Sequence, residues 1–310
     1  MAIGPTTVLP DVVSGIWTRC RASGKTLTDY WALTKPDVNL LIAITVFAGF
    51  CLARPTLFQG FALARLIHTL LGTSLVAGGA GALNQFIERP FDAQMRRTAR
   101  RPLALGRISP SGALWFGVSL CIGGAIYLDL AVNRIASLLA VFTLVGYLFL
   151  YTPLKRKTAL CTLAGAIPGA IPPLIGWAAA SGTLSAGAWI LSAILFLWQF
   201  PHFMAIAWIY REDYDRAGYL VLPRGNVRAR VVAWQSLLPS ILLIPLCVVP
   251  TLLGHAGLFY VVSASLLSFA FLFYGARLAL HRSNIVARQL LTASVVYLPC
   301  LFLLMLFNKK

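Results

Sequence analysis

Nine apolar stretches, each close to the length of one membrane crossing, occupy most of the chain: 38–53, 66–87, 112–132, 135–152, 160–180, 185–210, 231–253, 257–280 and 288–307. An α-helix rises 1.5 Å per residue, so about 20 apolar residues cross the hydrocarbon core of a bilayer. Hydrocarbon offers no water to backbone N–H and C=O groups, which leaves helices and closed barrels as spanning structures. None of the stretches alternates apolar with polar residues as a barrel strand would. The sequence therefore predicts an all-α membrane protein, a bundle of nine transmembrane helices. Only 11% of its 310 residues are charged, against about 25% in a soluble domain.

The charges that remain are sorted by side. With the N-terminus in the cytoplasm, segments 1–35, 88–111, 153–159, 211–230 and 277–288 hold 21 of the 26 Lys and Arg, and the opposite side holds 5. That asymmetry follows the positive-inside rule, and an odd number of spans puts the C-terminus on the far side. Residues 1–35 read as a cytoplasmic tail and 36–310 as a single transmembrane domain. The tail carries Arg19, Arg21 and Lys25 but lacks the apolar centre of a signal peptide. Topology thus accounts for the net charge of +17. Nucleic acid is excluded as a partner, because the cations are divided among short loops between lipid-embedded spans. The six cysteines lie singly, without CxxC or metal spacing, and suit core filling.

The nine acids are more informative. Glu88 and Asp92 fall in one predicted cytoplasmic segment; Glu212, Asp213 and Asp215 fall in another. Asn84, Glu88 and Asp92 are spaced i, i+4, i+8, which places them in one sector of a helix. Oxygen-only groups of this kind suit Mg²⁺, which takes one or two carboxylates together with substrate phosphate oxygens. Pro90 removes a backbone donor and disfavours helix at Arg89, so the helix is expected to end or kink between Glu88 and Asp92. Two acidic clusters on one side, set among arginines, describe a metal-bridged polyphosphate site. The bland alternative is a helix end whose acids pair with Arg89, Arg96 or Arg97 in a solvated loop.

The stretch "NQFIERPFDAQMRRTARRP" (84–102) resembles the first aspartate-rich motif of the intramembrane UbiA-type prenyltransferases, with matches at Asn84, Asp92, Met95, Arg97, Thr98, Arg101 and Pro102. "DYWALTKPDVNLL" (29–41), "YTPLKRKT" (151–158), "GAIPGAIPPLIGWAAASG" (165–182) and "WQFPHFMAIAWIYREDYDRAGYLVLP" (198–223) are similar to the protohaem IX farnesyltransferase branch. Glu88 stands where that branch usually has Asp. The resemblance implies transfer of a farnesyl group from farnesyl diphosphate to a vinyl group of haem B, with addition of water. It also implies a cytoplasmic site in a bacterial inner membrane, Mg²⁺ bound with the diphosphate, haem B as substrate rather than prosthetic group, and haem-processing or terminal-oxidase assembly partners. A UbiA-type enzyme acting on an aromatic acid or quinone precursor is the alternative, and a multi-span transporter a more distant one.

Within that reading, Asn84, Glu88, Asp92, Asp213 and Asp215 are expected to hold the metal. Arg97, Arg101, Lys35 and Lys155 are expected to face the diphosphate, since guanidinium forks and ammonium groups suit its oxygens. Tyr151, four residues before Lys155, offers an aromatic face to an allylic cation. His202, in "QFPHF", could ligate haem iron, contact a propionate, help place the attacking water, or only bond a carbonyl freed by Pro201. "GAIPGAIPPLIGW" reads either as room for a flat macrocycle or as an ordinary kinked packing helix.

Overall fold

The computed structural model describes residues 26–53 and 60–309. Among them, nine helices are long and apolar enough to cross a membrane: α1 (Pro36–Ala53), α2 (Ala62–Asp92), α3 (Pro110–Ala131), α4 (Arg134–Leu154), α5 (Cys161–Ser181), α6 (Ala186–Ile209), α7 (Val227–Leu252), α8 (Leu258–His281) and α9 (Asn284–Phe307). Each coincides with one predicted stretch. Their starts carry ordinary chemistry. Ser109, Asn133 and Ser283 accept from the backbone N–H groups of Gly112, Ala136 and Val286, supplying partners that the first helical turn lacks. Leu130 and Phe273 are among many large apolar side chains exposed on the outside of the bundle, as lipid contact requires.

Of the predicted tail, residues 1–25 lie outside the described residues. Residues 26–33 form a short helix packed on the bundle, with Leu33 fully buried and the Tyr30 ring edge-on to Phe116 at 5.0 Å. Lys35 follows with φ 52°, a left-handed conformation that costs an L-residue about 1 kcal/mol. Of the cysteines, Cys51, Cys121, Cys161 and Cys247 are buried, as core fillers would be.

The helix end that Pro90 allowed does not occur there, and α2 continues to Asp92. Proline removes the N–H that would have served the Phe86 carbonyl four residues back. The Arg89 side chain takes that place, Nη1 donating to Phe86 O at 2.7 Å. The polar ladder therefore stays in helical register to its last rung.

α5 is broken instead. Cys161–Gly169 and Pro172–Ser181 are separate helical pieces, because Pro172 and Pro173 contribute no N–H. Two α6 side chains serve the carbonyls around the break: Ser192 Oγ donates to Ala170 O at 2.8 Å and Gln199 Nε2 to Ala166 O at 2.8 Å. Residues Pro172–Ala180 are all buried. A Cβ on Gly176 would stand 1.9 Å from Val46 O, and one on Gly49 would stand 2.2 Å from Pro173 O. α1 and α5 thus meet backbone to backbone. The small residues of this stretch serve helix contact, as the packing reading expected, rather than open space.

Loops from three places converge at one end of the bundle. Leu220 N–H donates to Lys155 O at 2.6 Å, and Arg97 N–H donates to Asp213 Oδ2 at 3.2 Å. At the opposite end, Lys309 Nζ donates to Leu52 O at 2.6 Å.

Candidate active site

Two polar ladders face each other at the end where the loops converge. The first is Asn84, Glu88 and Asp92 on α2, with 1%, 5% and 1% of their surfaces exposed. Carboxylates buried this deeply require partners. The second is Tyr147, Tyr151 and Lys155, also spaced i, i+4, i+8, on α4 and the turn after it. Residues Gly146–Tyr151 form a π-helical turn, a feature frequent at functional sites. Within and at the end of this turn Tyr147 stacks on Tyr151, with centroids 5.7 Å apart. Tyr151 fits because Gly165 is bare: a Cβ there would lie 2.6 Å from the ring.

The ladders are joined at Asn84 and Glu88, while Asp92 is paired with the loop that follows its own helix. Asn84 Nδ2 donates to Thr152 Oγ1 at 3.2 Å, while Lys35 Nζ donates to Asn84 Oδ1 at 2.6 Å and lies 3.4 Å from the Tyr147 hydroxyl. Lys155 Nζ donates to Glu88 Oε1 at 2.7 Å and sits over the Tyr151 ring, 4.5 Å from its centroid. Arg101 Nη1 donates to Asp92 Oδ2 at 2.6 Å, and Asp92's backbone carbonyl accepts from Thr98 Oγ1. Tyr219 is buried against Phe91 and stands 5.9 Å from Lys155 Nζ. Burial lowers the pKa of Lys35. Burial also opposes the charge on Lys155, but the facing Tyr151 hydroxyl and Glu88 carboxylate hold that ammonium well above the usual lysine value.

The second acidic cluster folds back onto the first motif through Asp213, which is buried and pairs with Arg216 as well as the Arg97 amide. Asp215 turns to other partners. Arg228 Nη2 reaches its two oxygens at 2.9 and 3.0 Å, and Arg224 lies 3.6 Å away. Arg97 is exposed, with its guanidinium over the Tyr210 ring at 4.9 Å. His202 lies between α6 and α9, bonded through Nδ1 to Ser294 Oγ at 2.7 Å and stacked on Trp198. The structure therefore brings Lys35, Asn84, Glu88, Asp92, Arg101, Tyr151 and Lys155 into one contiguous network. Asp213 sits at its rim, and the Arg97, Asp215 and His202 side chains make their contacts elsewhere. Residues the sequence reading missed are Tyr147, Thr152 and Tyr219. Tyr147 had a legible signal, since it extends the Tyr151–Lys155 spacing by one rung.

The donor set suits a hard divalent cation. Among the described residues, no cluster of three His, Cys, Asp or Glu could hold a metal unaided. The carboxylates expected to share a metal are therefore not gathered into one ligand set, and a cation here would draw the rest of its shell from substrate phosphate and water. Asp92 Oδ1 is buried without a partner, an orphaned carboxylate oxygen of the kind a cation would satisfy. The residues present fit Mg²⁺.

Comparison with known proteins is consistent across sequence and shape. Residues 42–306 match the UbiA prenyltransferase family. The chain is 48% identical to a protoheme IX farnesyltransferase of Solibacter usitatus (strain Ellin6076), over 91% of this chain and 99% of that protein. A protoheme IX farnesyltransferase of Salinibacter ruber (strain DSM 13855 / M31) is 43% identical, with 91% and 99% covered. Among solved structures, a UbiA homologue from Archaeoglobus fulgidus bound to GPP and Mg²⁺ superimposes with TM-score 0.62 at 14% identity, over 89% of this chain and 99% of that one. A digeranylgeranylglyceryl phosphate synthase structure gives 0.74 at 17% identity, over 92% and 98%.

Proposed function

The chain belongs to the UbiA prenyltransferase family, and we infer that it joins the farnesyl group of farnesyl diphosphate to a vinyl group of haem B with addition of water. The C1–O bond of farnesyl diphosphate breaks and its electron pair leaves with diphosphate. The allylic cation forms a C–C bond with the terminal vinyl carbon. The neighbouring carbon, now cationic, takes the oxygen of water, which releases one proton. The products are haem O, diphosphate and H⁺.

The observation that carries this reading is the pair of facing ladders, with Asp92 Oδ1 buried and without a partner. Asn84, Glu88 and Asp92 would hold Mg²⁺ from α2, and Asp213 from the loop that folds over them. Mg²⁺ bound with the diphosphate neutralises charge and improves the leaving group. Lys155, Lys35 and Arg101 stabilise the anion as its charge develops, and they are already held in place, Lys155 by Glu88, Arg101 by Asp92 and Lys35 by the Asn84 amide oxygen. Tyr151 and Tyr147 present ring faces to the allylic cation and keep water from it until it has met the vinyl group. Arg97, extended over Tyr210, offers the diphosphate a further cation at the mouth, and Asp215 holds the loop through Arg228 and Arg224. The 21-to-5 division of Lys and Arg supports a site open to the cytoplasm of a bacterial inner membrane. From there, haem O would pass to haem-processing or terminal-oxidase assembly partners.

Membranes containing the protein, given farnesyl diphosphate and either haem B or 4-hydroxybenzoate, test the reading. Farnesylated haem and diphosphate are expected, and both are lost when EDTA removes Mg²⁺. Transfer to 4-hydroxybenzoate alone would assign the chain to the aromatic branch instead. Glu88→Asp keeps the charge and shortens the arm by one methylene, so kcat is expected to stay within about tenfold of wild type, the scale on which supporting contacts act. A collapse to background would mean that the length of Glu88, not its charge, is what the site needs.

A further inference from the structure

We infer that His202 Nε2 is the ligand for the haem iron and that Ser294 is the positioning residue that keeps it available. This rests on the haem reading above and adds to it the place where the macrocycle is held.

Ser294 Oγ has one hydrogen and two nearby partners, Leu291 O and His202 Nδ1. Leu291 O lies 2.6 Å from it and has only lone pairs, so the hydroxyl hydrogen belongs there. Ser294 Oγ must then accept from His202 Nδ1 at 2.7 Å. The proton is thereby fixed on Nδ1 and Nε2 keeps its lone pair. Metal-binding histidines use this arrangement, the second ring nitrogen donating to an oxygen that sets tautomer and orientation. The ring cannot easily swing. It stacks on Trp198 with centroids 4.8 Å apart and planes 23° apart, and Trp198 is itself anchored by Nε1 donating to Ser294 O at 2.9 Å. One residue of α9 thus grips both rings of α6. Among the described residues, no hydrogen bond is recorded at Nε2, and His202 is only partly buried. An ionisable group in such a span ordinarily faces the bundle interior or a water-filled cavity and has a function.

The depth is suitable. His202 lies seven residues before Ile209, where α6 ends, about 10 Å along the axis from that end of the helix.

The test uses purified full-length protein in lipid nanodiscs, with ferrous and ferric haem B as the probe and no diphosphate. Wild type should give the absorption and resonance Raman signature of histidine-ligated haem. His202→Gly should lose it, and free imidazole should restore it. Ser294→Ala should raise the KM for haem about tenfold, within the 10–100-fold typical of such outer partners, and leave the KM for farnesyl diphosphate in place. Ser294→Thr, which keeps the hydroxyl, should recover most of that loss. If wild type farnesylates haem while His202→Gly binds haem with an unchanged spectrum, the ligation is overturned and the broader reading stands. If wild type neither binds nor farnesylates haem, the broader reading fails with it.

Discussion

Asp92→Asn is expected to cut kcat by about 10²–10³-fold, the loss seen when one preorganised charge-stabilising group is removed from a site, with the protein still inserted and monodisperse. The substitution keeps volume and one hydrogen-bonding oxygen but removes the negative charge that Arg101 meets at 2.6 Å and that Mg²⁺ would meet at Oδ1. Stability should suffer little. The Arg101 side chain is 22% exposed and can turn to water once released. Single-turnover assays with farnesyl diphosphate separate the effects, because the defect belongs to C–O cleavage and to diphosphate release, not to haem binding. Mn²⁺ binding in the presence of inorganic pyrophosphate, followed by electron paramagnetic resonance, should weaken in parallel. Wild-type turnover in this variant would remove Asp92 from the site.

Gly176→Val is expected to prevent assembly altogether. Its Cβ would fall 1.9 Å from Val46 O and 2.8 Å from Phe50 N, so α1 could not occupy its place. Both neighbours are main chain and cannot rotate away. Overpacking of a flexible core costs about 1–3 kcal/mol; a clash between two backbones exceeds that range, since the helices must part and forfeit their shared contacts. Lipid supplies no hydrophobic force to push them back together, because tails are as apolar as the side chains they would replace. The measurement is the yield of monodisperse protein in detergent and its melting temperature. Gly49→Val, on the other helix of the same contact, should behave alike. A Gly176→Val protein with wild-type yield and melting temperature would show that α1 and α5 do not meet as described.

Much of this architecture is legible in the sequence. Hydrocarbon imposes one solution on every apolar run, so the nine spans could be placed from composition alone. The i, i+4, i+8 spacing put Asn84, Glu88 and Asp92 on one face because helical geometry leaves no other arrangement. What that face would meet was not legible. Glu88 and Lys155 are 67 residues apart, and only the folded bundle selects Lys155 over the nearer Arg89. Pro90 does not end the helix, for a related reason. Local rules count the missing N–H, but the Arg89 side chain, reaching back to Phe86 O, is a substitute no propensity includes. The glycines and prolines of α5 could mean space or contact, and the choice depends on α1, far away in the chain. Tyr147 differs, since its spacing was in plain view and was overlooked for want of the π-helical turn that aligns it.

The buried clasp between Glu88 and Lys155 also governs how such a protein can change over generations. Replacing either member alone strands a charge away from water, a penalty of about 3–5 kcal/mol, comparable to much of a typical protein's margin of stability. Drift at one position is therefore tethered to drift at the other, and the lineage carries the two as a single heritable unit.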